Sequence, residues 1–144
     1  LSRVQKIEIL PLSSKQTAQL LDKLEIKGQK KLAQISFMAE DLPAEIIRLS
    51  QDDEYFASRT ESIKAAREFI QGTTYKKLIT SYKIGNDRDK AMDLLRDIAH
   101  IVEISLKQKP SSSLAGLLAK IIFTQEKLLA DGNIRSQLLR LAVN

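Results

Sequence analysis

His100 is the only histidine in the chain, and Asp97 and Glu103 lie three residues to either side of it. On a helix those three residues share roughly one side. An imidazole between two carboxylates could hold a divalent cation or act as a general base. The chain has no cysteine, so any further ligands would be carboxylates from distant segments. The spacing is common in helices, and His100 is expected at a surface or bundle edge. Glu40-Asp41, Asp52-Asp53-Glu54 and Asp87-Arg88-Asp89 fall at element boundaries. Acids there favour the exposed N–H groups that start helices, so capping is the expected role. Catalysis by paired carboxylates would need two of these groups in one cleft.

Other chemistry finds little support. Neither a G-x-x-x-x-G-K-S/T phosphate loop nor a dinucleotide fingerprint occurs. Gly28, Gly72, Gly85, Gly116 and Gly132 are isolated, and Gly116, mid-helix, is expected to allow close approach of a second helix. Lys30-Lys31 and Lys76-Lys77 are expected to be solvated surface. No enzymatic activity is expected of this chain by itself.

The 144 residues carry 23 Lys and Arg against 18 Asp and Glu, a formal charge of +5. That surplus weakly favours polyanionic partners, but basic residues occur along every segment. Aromatic residues make up 5% and tryptophan is absent, which argues against a stacking platform for single strands. No apolar run is long enough to span a membrane. The N-terminus lacks a basic-then-apolar secretory layout, and the absence of cysteine fits a cytoplasmic protein.

The elements that must position these residues are mostly helical. "VQKIEILPLSS" starts as the only convincing strand, with Ile7 and Ile9 alternating with Lys6 and Glu8 before Pro11 ends it. A single strand cannot satisfy its own edges, so its partners are expected in residues preceding Leu1, with a linker over residues 1–10 as the alternative. Ser13 and Gln16 form a capping-box pattern for a helix carrying Leu20, Leu21 and Leu24, and Gly28 is expected to stop it. Two short helices follow, one with Leu32 and Ile35, the next opening at Pro43 and packing Ile46, Ile47 and Leu49.

Beyond Gln51 the helices lengthen. One is expected over 53–71 with Ile63, Ala66 and Ile70 on one side, then another over 75–82. Asp87 caps a third, whose Ala91, Leu94, Leu95, Ile98, Ile101 and Val102 recur at helical spacing. A fourth has the seam Leu114, Leu117, Leu118, Ile121, Ile122, Gln125 and Leu128. Asp131-Gly132-Asn133 stops it, because Gly and Asn tolerate left-handed geometry. The last helix sets Ile134, Leu138, Leu141 and Ala142 on a common side, closing a bundle and leaving its other side for a partner.

Three stretches together resemble the C-terminal part of bacterial DNA polymerase III clamp-loader subunits, members of the AAA+ family. "LSRVQKIEILPLSSKQTAQLL" is similar to the stretch leaving the ATPase domain, where an S-R-C motif precedes a strand, an apolar-Pro-Leu-Ser turn and the first lid helix. Ser2 and Arg3 match that motif, and Val4 stands where cysteine is usual. "ISFMAEDLPAEIIRL" resembles the lid segment A-x-G-S-P-x-x-A-L-x-L. "IIFTQEKLLADGNIRSQLLRLAVN" resembles a closing signature of amphipathic helix, A-N-x-N-x-R turn and L-x-x-L helix.

The resemblance implies an all-α architecture: a small three-helix AAA+ lid over residues 11–51 and a five-helix collar over 52–144. Residues 1–10 would end a truncated ATPase domain. Arg3 would be an arginine finger acting in trans on ATP held by an adjacent subunit, since a guanidinium neutralises charge on the transferred phosphoryl group. ATP and Mg are expected in the parent complex and no cofactor in this chain. The implied partners are other clamp-loader subunits in a hetero-pentamer, with the sliding clamp and primed DNA reached through that complex, and no membrane. Asp41 and Leu42 stand at the lid's glycine and serine positions, and Ala44 stands where active subunits carry a nucleotide-sensing arginine. These departures point to the delta-prime type rather than the ATP-hydrolysing gamma/tau type. The alternative is a free-standing helical adaptor or nucleic-acid-binding module.

Overall fold

The computed structural model describes residues 10–143. The expected strand, and with it Ser2, Arg3 and Val4, lies outside the described residues. Within them the chain is all-α, with eight helices and no strand. They are α1 (Ser14–Lys23), α2 (Gln29–Ala39), α3 (Pro43–Gln51), α4 (Asp53–Gln71), α5 (Thr74–Ile84), α6 (Arg88–Gln108), α7 (Ser112–Leu129) and α8 (Ile134–Val143). The described residues divide into two compact units, one reaching Thr60 and the other starting at Glu61, so the division falls within α4. No described helix is long and apolar enough to cross a membrane.

In the first unit the Ser13–Gln16 pair opens α1: the Ser13 backbone N–H donates to Gln16 Oε1 at 2.9 Å and its hydroxyl donates to the same oxygen at 2.7 Å. Gly28 does not stop this helix. Leu24 caps α1, Glu25 turns left-handed at φ 47°, and Gly28 at φ 95° is the residue that opens α2. The pair Glu40-Asp41 likewise departs from expectation. Instead of starting a helix, both residues are left-handed (φ 50° and 58°) and end α2. Asp41 is held there from two directions: Thr17 Oγ1 donates to its Oδ1 at 2.8 Å, and the Leu12 N–H donates to its carbonyl at 2.9 Å. Pro43 then takes the first helical position of α3, where its missing N–H is harmless. Leu21, Ile35, Met38, Ala39, Ile46 and Leu49 form the buried core, whereas Ile47 is exposed.

The second unit has a larger core, drawn from all its helices but α5 and centred on Leu95, Ile98, Ile121, Leu128 and Leu138. Fully burying each such side chain contributes about 1.5–3 kcal/mol before entropy is counted. Helix α6 packs along α7, and α8 packs on both α5 and α7. The expected face of α8 is buried in full, and on α6 only Ile101 is left half-buried. Two stripes rotate slightly from expectation. Phe69 rather than Ile70 joins the deepest layer of α4, and on α7 Thr124 takes the place expected of Ile122, which is exposed. Thr124 can be buried because its hydroxyl donates to the Lys120 carbonyl at 2.8 Å, leaving no unmet polar group. Gly116 has nothing within 4 Å of where a Cβ would stand, so it mediates no close helix approach among the described residues.

Candidate functional site

The histidine constellation does not assemble. Asp97 is 1% exposed and faces the core, Glu103 is exposed, and His100 is half-buried between them. Each three-residue step turns a helix by about 300°, so the two acids diverge by about 120°. Among the described residues no group of three His, Asp or Glu side chains could hold a metal ion. No buried side-chain polar atom there lacks a hydrogen-bond partner.

Several boundary acids are caps. Asp52 Oδ1 accepts from the Tyr55 N–H at 2.8 Å and opens α4, and Asp87 Oδ1 accepts from the Lys90 N–H at 3.1 Å and opens α6. That backbone bond, with the Lys90 ammonium 3.1 Å from Oδ2, holds the Asp87 carboxyl below the usual carboxylate range. Asp53 is lowered too, by the bond it accepts from Lys31 Nζ at 2.8 Å. Lys31 is therefore more than solvated surface: it pairs with Asp53 and sits 5.2 Å from the Phe56 ring centre.

A neighbouring cluster in the same unit escaped the sequence reading. The Tyr55 hydroxyl donates to Glu45 Oε2 at 2.9 Å, and the Arg48 guanidinium lies 3.7 Å from the ring centre. Burial, reinforced by the bond to Glu45, pushes the phenol above its ordinary value. No sequence motif marks this trio, because its members come from different helices.

In the second unit the α7–α8 turn carries the densest polar chemistry. Asp131 is left-handed at φ 59°; its N–H donates to the Leu128 carbonyl at 3.2 Å, and the Gly132 N–H donates to Lys127 at 2.8 Å. This is a Schellman closure. The left-handed residue is thus Asp131 and not Gly132 or Asn133. Gly132 is required for a different reason: a Cβ there would meet the Lys127 carbonyl oxygen at 2.5 Å. Asn133 starts the next helix, its Oδ1 accepting from the Ser136 N–H at 2.9 Å. Arg88, at the start of α6, donates from Nη1 to the Leu128 carbonyl, and its Nη2 lies 3.4 Å from Asp131 Oδ1. Arg135 stacks 5.1 Å from the Tyr82 ring centre, joining α8 to α5.

What remains outward is apolar in two places. Helix α7 exposes Ile122, Phe123 and Leu129, with Lys127 and Arg140 over the Phe123 ring; α5 exposes Tyr75, Ile79 and Tyr82. An open groove of about 460 Å³ lies beside α5, lined by Glu61, Lys64, Glu68, Lys83, Lys90 and Asp93. Acids and lysines alternate along it, and no nucleophile–base pair converges there. These surfaces can dock partners; bond chemistry is not arranged on them. No family model, curated protein or solved structure matches this chain.

Proposed function

We propose that this chain is the lid and collar of a clamp-loader subunit of the delta-prime type, whose work is assembly. The observation that carries this reading is backbone geometry at Asp41. The resembled lid segment has glycine at that position, and Asp41 adopts φ 58°, the left-handed region that glycine favours. Asp131 gives the same support: it stands where the resembled closing turn has asparagine, the residue that best tolerates left-handed geometry after glycine, and its φ is 59°. Pro43 at the head of α3 and Asn133 at the head of α8 also fall where the two segments have Pro and Asn.

On this reading α4–α8 pack beside their counterparts in a ring of five subunits. The exposed Ile122, Phe123 and Leu129 of α7 suit such an interface, with Lys127 and Arg140 forming a polar rim around Phe123. The ring holds the ATPase modules in a spiral that opens a sliding clamp, and ATP bound on a neighbour is sensed in trans by Arg3. Substituting Arg3→Ala in the assembled complex tests this role. The five-subunit complex should still form, while clamp-stimulated ATP turnover falls at least tenfold, short of the full effect of an arginine finger because other sites in the ring persist. Unchanged turnover in an intact ring refutes the role of Arg3, and failure of the unsubstituted chain to assemble refutes the subunit reading.

A further inference from the structure

The chain's positive charge has an address. Helices α5 and α8 contain Lys76, Lys77, Lys83, Arg135 and Arg140 and no Asp or Glu. Removing those five from the 23 basic residues leaves 18, equal to the number of acids in the whole chain. The entire +5 therefore sits on two helices, and these two pack against each other.

The exposed face of α5 adds a second, independent feature. At 100° per residue, Tyr82, Tyr75, Ile79, Lys83 and Lys76 follow one another around a single arc of the helix. Tyr75 and Tyr82 are 70% and 69% exposed. They stand seven residues apart, about 10 Å along the axis. Arg135 of α8 stacks on the Tyr82 ring from one side of this arc, and Lys76 and Lys83 border the other. The acids nearest the arc, Glu61, Glu68 and Asp93, line the groove beyond Lys83, where Lys64 and Lys90 accompany them. Few aromatic residues argued against a stacking platform in the sequence, yet two of the three tyrosines share one outward face amid cations.

We infer that the α5–α8 face binds a single-stranded nucleic acid, with Tyr75 and Tyr82 stacking on bases and Lys76, Lys83 and Arg135 contacting phosphates. Charge complementarity selects a polyanion, and two exposed rings flanked by cations favour unpaired bases over an acidic protein or a lipid surface, neither of which offers rings to stack. The inference does not depend on the clamp-loader reading.

The test is fluorescence anisotropy of the full chain with a labelled thymidine oligonucleotide of about twelve residues, titrated across salt. Saturable binding is expected, with log K falling against log salt at a slope of about −2, corresponding to about three phosphate contacts. Lys76→Ala with Lys83→Ala should lower the magnitude of that slope by about 1. Tyr75→Ala with Tyr82→Ala should weaken binding about tenfold or more at nearly unchanged slope, whereas the two Tyr→Phe substitutions should retain it. All four positions are exposed or at the surface, and circular dichroism of each variant confirms folding. Equal binding of duplex and single strand with no effect of removing the tyrosines overturns the inference. So does binding only to vesicles of anionic lipid, or a salt slope indifferent to Lys76 and Lys83.

Discussion

Arg88 and Asp131 face each other across the closing turn of α7, Nη2 to Oδ1 at 3.4 Å, while the same guanidinium donates to the Leu128 carbonyl. A residue at the first position of α6 thereby satisfies the last turn of α7, 40 residues on. The Asp131 side chain is 96% exposed, so the ion pair itself contributes little. The charge-assisted bond to a helix-terminal carbonyl contributes more. Arg88→Ala should cost about 1–2 kcal/mol in urea unfolding, and Arg88→Lys should recover part of it. Asp131→Gly should be neutral or stabilising by up to about 1 kcal/mol, because relief of left-handed strain outweighs the lost pair.

Two glycines should respond in opposite directions. Gly116 is an exposed interior position of α7 with open space around it, so Gly116→Ala should raise stability by about 0.5–1 kcal/mol. Gly132→Ala drives a methyl into the Lys127 carbonyl and should lower it by about 1–3 kcal/mol. Thermal melts of the two variants check the contrast. A loss at Gly116 would mean that a helix packs there.

Titration should separate two groups by sign. The Tyr55 phenol is raised by burial and by its bond to Glu45. Its stabilising contribution is present below the unfolded value near 10 and is lost as pH rises through the higher folded value. Tyr55→Phe should flatten the alkaline limb of the stability profile. The Asp87 carboxyl is lowered, so its contribution is present above the unfolded value of 3.8 and is lost as pH falls through the lower folded value. Asp87→Ala should remove that acid limb, measured by denaturant midpoints at stepped pH.

Helical periodicity carried most of the second unit's fold. Ala91, Leu94, Leu95, Ile98 and Val102 on α6 and the whole apolar face of α8 were legible because their spacing alone specifies the buried side. Thr124 was not, since hydropathy ranks it below Ile122, and only its bond to Lys120 makes burial tolerable. Left-handed positions were misassigned for a related reason: glycines were favoured, whereas Glu25, Glu40, Asp41 and Asp131 carry positive φ. Arg88 and the Glu45–Arg48–Tyr55 trio depend on which helices meet, which no single stripe discloses. Arg3, the one residue expected to serve catalysis, lies outside the described residues.

Assembly is the most direct test of the account. Native mass spectrometry of this chain, joined to its upstream residues and mixed with bacterial clamp-loader subunits, should detect a complex of five subunits containing one copy of it. Substituting Ile122, Phe123 and Leu129 by Ser should dissociate that copy without unfolding it. A chain that remains free at concentrations where the other subunits assemble would contradict the account.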